Sequence, residues 1–202
     1  MNMKEKNEVL FVIGKIISRI LGPFSSAPLV FFLLVFLVTE DSISKFSAWG
    51  ILAFAFYIVP GFAYIRLRSM GKISDLELTK RAERHPLLEL MLVSYWIAVY
   101  LLTEMFGFGA VLTQGVFVYV LSFTVLTIIT VWYKISLHMA MWVILGLFMG
   151  TTFGNLYYLV LACIMLTIAW ARFYLKKHTL AQLFWGAIVP TLVFFIVRII
   201  VN

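Results

Sequence analysis

The chain holds three histidines, and each has Arg or Lys within four residues. His85 follows Arg84, His138 ends the stretch YKISLH, and His178 ends the stretch ARFYLKKH. Fixed cations with a pair of histidines suit a phosphate ester. The cations neutralise the non-bridging oxygens as charge builds on them. One histidine can attack phosphorus while another protonates the departing oxygen. Other chemistries lack their residues. No acidic cluster or Cys/His spacing suits a metal, and no glycine-rich loop of the P-loop kind is present. Cys163 stands alone, so no disulfide or cysteine-based zinc site can form within one chain. No metal and no cofactor is expected.

The elements that must carry these residues are membrane helices. The 202-residue chain is 63% hydrophobic and 12% charged, with a mean hydropathy of +1.04. A soluble domain carries roughly a quarter charged residues, so this chain lacks the polar surface to dissolve. Its apolar runs are continuous rather than alternating, which excludes barrel strands and leaves helices as the way to satisfy the backbone in lipid. Spans are predicted at 25–39, 47–65, 87–105, 110–132, 137–150, 155–171 and 180–200. The expected fold is an all-α integral membrane protein, a bundle of about six to seven transmembrane helices, in residues 25–202. Residues 1–24 are predicted to form an interfacial amphipathic helix: Val9, Leu10, Ile13, Ile16, Ile17 and Ile20 fall on one stripe, and Gly22-Pro23 breaks it. Lys15 and Arg19 interrupt this segment too early for a cleaved signal. The expected location is a membrane, crossed several times.

The few polar residues collect. Taking the spans in order, 66–86, 133–138 and 171–179 fall on one side and hold every histidine with most of the cations. The positive-inside rule makes that side cytoplasmic, unless the cations are there to bind substrate, so the sidedness stays open. Cys163 reads as a small buried packing residue, and the six tryptophans as an interface belt. Gly146, Gly150 and Gly154 repeat every fourth residue, which predicts close helix packing along one face.

A family resemblance rests on the same segments. The stretch Ala171-Arg172-Phe-Tyr-Leu-Lys-Lys-His178-Thr-Leu-Ala-Gln182, followed by Gly186, resembles the third motif of the type-2 phosphatidic acid phosphatase superfamily, S-R-x5-H-x3-D. That superfamily joins lipid phosphate phosphatases with vanadium haloperoxidases, and the chain looks like a divergent, bacterial-type membrane member. Tyr133-Lys134-Ile135-Ser136-Leu137-His138 resembles the second motif, P-S-G-H, and Asp75 to Pro86 resembles the first, a Lys, six residues, then Arg-Pro. The departures are Ala171 for Ser, Gln182 for Asp, Ile135 and Leu137 for Pro and Gly, and Glu77 at the position seven before Arg84.

The resemblance implies His178 as nucleophile, forming a phospho-histidine, with Arg172 on the phosphate and His138 as general acid. It implies Ser136 as a further phosphate ligand and Gln182 as the group that orients His178. Lys80 and Arg84 are the choice for the remaining clamp, with Arg81 an alternative and Asp75 and Glu83 as groups that could orient these cations. His85 has no matching role. The implied activity is hydrolysis of a lipid phosphate or polyprenyl diphosphate. The alternative is a catalytically impaired member that binds lipid phosphate or acts as a scaffold. Expected partners are a lipid phosphate substrate and membrane lipids. Nucleic acid is not expected despite the net charge of +7, because the cations sit beside membrane spans. A transporter would need paired charges at mid-span, and none is found.

Overall fold

The computed structural model describes residues 3–74, 80 and 83–201. The chain is an all-α, multi-pass membrane protein, with no strand among the described residues. Its helices are α1 (Met3–Ile20), α2 (Pro23–Val38), α3 (Ser42–Ala53), α4 (Val59–Ser69), α5 (His85–Phe106), α6 (Val111–Trp132), α7 (Leu137–Phe153), α8 (Leu156–Tyr174) and α9 (Leu180–Val201). Five stretches are long and apolar enough to cross a membrane: Ser42–Ser69, His85–Phe106, Val111–Thr130, Leu156–Tyr174 and Leu180–Ile200. Helix α7 is apolar but has 17 residues. The chain forms two compact units, one of residues 1–26 with 135–202, the other of residues 27–134.

In the unit of residues 27–134, Asp41 caps α3 by accepting from Ser44 N at 2.7 Å. This cap starts the helix five residues before the predicted span and draws the polar Ser42–Lys45 stretch into it. A π-helical turn, Phe54–Ile58, joins α3 to α4, and Pro60 explains it. Proline has no N–H, and its ring clashes with the carbonyl four residues back. Widening the helix just ahead of it relieves that clash. Val59 N accordingly bonds Phe54 O, five residues back. In that register the partner of Ala55 O would be Pro60, which has nothing to donate. The Ser94 hydroxyl of α5 lies 3.0 Å from Ala55 O and 3.0 Å from Met91 O of its own helix, so its one proton is shared between the two carbonyls. Alongside, Phe56 stacks on Tyr95 at 4.0 Å between ring centres, and Phe31 meets Tyr119 edge-on at 5.2 Å.

The unit of residues 1–26 and 135–202 is organised around α7, which is buried without interruption from Leu137 to Leu145. Helices α8 and α9 pack against it, and α1 packs against α8. The glycine spacing does what the sequence predicts at two of its three positions. A Cβ on Gly146 would collide with Leu161, and one on Gly150 with Tyr158, so α7 and α8 approach over bare backbone. Gly154 departs from the prediction: α7 ends at Phe153, and Gly154 is its C-cap with φ +113 and open space around its Cβ position. A left-handed backbone there favours glycine for conformational reasons, with no packing involved.

Two further expectations are corrected. Cys163 is exposed on α8. An exposed position on a membrane helix meets lipid, so an apolar setting does not require burial inside the protein. Trp142 is buried in α7, and its Nε1 donates to Leu21 O at 3.1 Å, so it ties the end of α1 rather than joining an interface belt.

Candidate functional site

The site is built where helices α7 and α9 begin and α8 ends. Helix α8 closes with a two-bond turn: Lys176 N bonds Phe173 O at 2.9 Å, and Lys177 N bonds Arg172 O at 3.0 Å. This pattern needs a left-handed residue just past the helix. Lys176 fills that place with φ +54, where glycine is usual. The sharp reversal brings His178 back over the end of α8, and its own N–H reaches Arg172 O at 3.3 Å. The five residues between Arg172 and His178 are therefore the length of one helix stop.

Helix α9 then starts with a capping box. Gln182 N bonds Thr179 Oγ1 at 3.3 Å, and Thr179 N bonds Gln182 Oε1 at 3.2 Å. Each side chain satisfies the other's orphan backbone N–H. The box also fixes the chemistry of His178. A backbone N–H only donates, so the Gln182 atom facing it is the oxygen. The same oxygen lies 3.2 Å from His178 Nδ1 and accepts a hydrogen bond there. That assigns the His178 proton to Nδ1 and the lone pair of the neutral ring to Nε2.

Helices α7 and α9 meet at their beginnings. Ser136 N bonds Gln182 O at 3.3 Å, and a Cβ on Gly186 would lie 2.8 Å from Ser136 O and 3.2 Å from Met139 Cβ. Glycine at 186 is thus what allows this approach. His138 is the second residue of α7, and Ser136 is its N-cap. Helix beginnings carry partial positive charge and backbone donors, which favour an anion. His138, Arg172, His178 and Ser136 are all buried. The Ser136 hydroxyl is fully enclosed with no hydrogen-bond partner among the described residues.

One participant has no forecast from the sequence. Ser18 of α1 accepts from Arg172 Nη1 on its hydroxyl at 2.5 Å, and its carbonyl oxygen accepts from His138 Nε2 at 3.1 Å. His138 and Arg172 therefore share one partner residue. The available signal was the small pair Gly14 and Ser18, four apart and both buried; Gly14 lies against Leu175, the residue that follows α8. The hydrophobic stripe drew attention to the opposite face: Val9, Ile13, Ile16 and Ile20 are exposed.

Lys80 and Arg84 belong to the unit of residues 27–134. Lys80 is exposed and pairs with Glu83 at 3.1 Å. Ser74 donates to Glu83 from its N–H at 2.7 Å and its hydroxyl at 2.8 Å. These bonds, the backbone one first, and lesser help from Lys80 hold the Glu83 carboxyl below its usual range. Arg84 is buried just before α5, and His85 is the first residue of that helix. Asp75, Glu77 and Arg81 lie outside the described residues. Among the described residues, no group of three or more His, Cys, Asp or Glu is placed to hold a metal ion. No protein-family model, curated protein or solved structure matches the chain.

Proposed function

We propose that the chain is a membrane-embedded phosphatase that hydrolyses a lipid phosphate or polyprenyl diphosphate through a phospho-histidine. One observation carries the reading. His178 is buried beside the end of α8, with its Nδ1 proton held by Gln182, so the lone pair falls on Nε2. That is the state a nucleophilic imidazole needs. The resemblance of 171–186 and 133–138 to the type-2 phosphatidic acid phosphatase motifs points the same way.

In this reading His178 Nε2 attacks phosphorus and the bond to the leaving oxygen breaks. Arg172, the start of α7 and the Ser136 hydroxyl stabilise the charge on the non-bridging oxygens. His138, as the imidazolium, gives a proton to the departing oxygen. Water, with His138 now acting as base, then releases phosphate from His178. The setting is a bacterial cytoplasmic membrane, where a lipid substrate enters sideways from the bilayer.

A second reading keeps the binding and drops the turnover: a protein that holds lipid phosphate or acts as a scaffold. Its support is Ala171, fully buried where the motif has a hydroxyl, and the occupation of Arg172 and His138 by Ser18. Purified protein offered phosphatidic acid and a polyprenyl diphosphate separates the two. The hydrolase predicts phosphate release, loss of release in His178→Ala, and an acid-labile phosphoryl group trapped on the protein in His138→Ala. Binding of lipid phosphate without release in any form favours the scaffold. Absence of both binding and release overturns the phosphate reading.

A further inference from the structure

Arg172 and His138 are the two groups that a bound phosphate ester would need as donors, one for a non-bridging oxygen and one for the leaving oxygen. Both already donate to oxygens, and the two oxygens belong to one residue. Ser18 Oγ takes the bond from Arg172 Nη1, and Ser18 O takes the bond from His138 Nε2. Neither acceptor carries a full charge, so a phosphate oxygen competes well for both donors. Neither can leave alone, because both are fixed to α1.

We propose that α1 is a lid, and that Ser18 keeps the site closed by standing in for two oxygens of the substrate's phosphate. The proposal rests on the phosphate reading of this site. It makes the opening of α1 part of binding: the incoming anion must take Arg172 and His138 away from Ser18. The helix is seated for that role. Its narrow face, Gly14 and Ser18, lies on α8, with Gly14 against Leu175. The phenol of Tyr174 reaches Asn7 O at 3.3 Å, and the Trp142 indole reaches Leu21 O at 3.1 Å. Its broad outer face exposes Val9, Val12, Ile13, Ile16 and Ile20, with Lys15 above Phe11. A helix with such a face is at home in the interfacial region of a bilayer. Lifting it from α8 therefore leaves it in contact with lipid, where its apolar face stays out of water.

The ligand chemistry is a phosphate monoester or diphosphate, and it has two sources, a lipid headgroup or free phosphate. The test places a thiol under the lid, with Gly14→Cys in a Cys163→Ser background of the full chain. Its rate of maleimide labelling is followed with phosphatidylcholine vesicles, with phosphatidic acid vesicles, and with inorganic phosphate. Labelling is expected to be about tenfold faster with phosphatidic acid than with phosphatidylcholine. Adding Ser18→Ala, which removes the Arg172 contact, is expected to raise the rate without any anion. Acceleration by inorganic phosphate alone keeps the lid and assigns its trigger to the free anion. Unchanged labelling while the wild type releases phosphate overturns the lid and leaves the hydrolase standing. Faster labelling with no release from the wild type does the reverse. Unchanged labelling without release overturns both. Amide hydrogen exchange across residues 10–21 of the unmodified chain, with the same additions, reads the same outcomes if the cysteine variant does not fold.

Discussion

Gln182 Oε1 lies 3.2 Å from His178 Nδ1, and the same oxygen accepts the backbone N–H of Thr179 at 3.2 Å. One amide oxygen thus serves a helix cap and a candidate nucleophile together. The orientation of His178 is in this way tied to the start of α9, and the two cannot be altered separately by side-chain truncation.

Gln182→Ala is therefore expected to cost activity beyond its effect on folding. A misplacement of about 1 Å in a reacting group can cost about 100-fold, and Gln182→Ala frees the His178 ring to turn and to change tautomer. Gln182→Glu keeps an acceptor at the same place and adds charge that favours an imidazolium, so it should retain most of the activity. Phosphate release from phosphatidic acid, with melting temperature measured in parallel, separates orientation from stability. Equal rates in Gln182→Ala and wild type would remove Gln182 from the mechanism.

The helices were legible because lipid demands continuous apolar segments, and the stretches read from hydropathy lie within a few residues of them; of the seven predicted spans, five are long and apolar enough to cross, while α2 and α7 have 16 and 17 residues. Arg172, His178 and Gln182 were legible because their spacing is local: a helix stop followed by a capping box sets their relation. Ser18 was not, since its partners are 120 and 154 residues away in sequence. Nor was the burial of Trp142, whose indole donates to Leu21, just past the end of α1. Cys163 failed for a different reason, because lipid-facing and buried positions are equally apolar.

Lys176 offers a test of local strain. Its φ of +54 is left-handed, and an L-residue there carries about 1–2 kcal/mol that glycine does not. Lys176 is exposed, so little else is lost in Lys176→Gly. A gain of about 1 kcal/mol should raise the melting temperature by about 2–4 °C. Lys176→Val, stiff at its β-carbon, should lower it. A lowered melting temperature in Lys176→Gly would show that the lysine side chain matters more than the turn.

Asp41 gives a pH dependence of known sign. Hydrogen bonds from Ser44, the backbone one first, hold its carboxyl below the usual aspartate range. The cap is then fully formed above the ordinary aspartate pKa and lost as pH falls through the depressed one. The protection factor of the Ser44 amide, its exchange rate divided into the intrinsic rate at each pH, should fall on acidification. In Asp41→Asn it should show no such step, since asparagine caps without titrating.

Ser94 tests the proline relief in α3–α4. Its hydroxyl reaches Ala55 O at 3.0 Å, the carbonyl whose π-register partner would be Pro60. Hydrogen bonds between membrane helices are worth about 0.6 kcal/mol on average and about 1.7 at most. The proton is shared with Met91 O at the same distance, so Ser94→Ala should fall near the average. In Pro60→Ala the backbone regains its own donor, so Ser94→Ala should then cost less. An equal cost in both backgrounds, measured by unfolding in mixed micelles, would separate the serine from the proline.

Gly186 decides whether α7 and α9 can bring their beginnings together. A Cβ there would sit 2.8 Å from Ser136 O and 3.1 Å from Ser136 Cβ. Backbone cannot swing aside as a flexible side chain can, so the helices must part by a few tenths of an ångström or more. Overpacking of this kind costs about 1–3 kcal/mol, set against the about 1 kcal/mol by which alanine favours a helix over glycine. Gly186→Ala should therefore be mildly destabilising and Gly186→Leu strongly so. The displaced segment carries Ser136 and leads into His138, so activity should fall further than stability alone explains. Gly50→Ala is the control: a Cβ there meets nothing within 4 Å. It should be neutral or slightly stabilising, with activity unchanged. If Gly186→Ala behaves like Gly50→Ala in both melting temperature and phosphate release, the close approach of α7 and α9 is not what positions the two histidines.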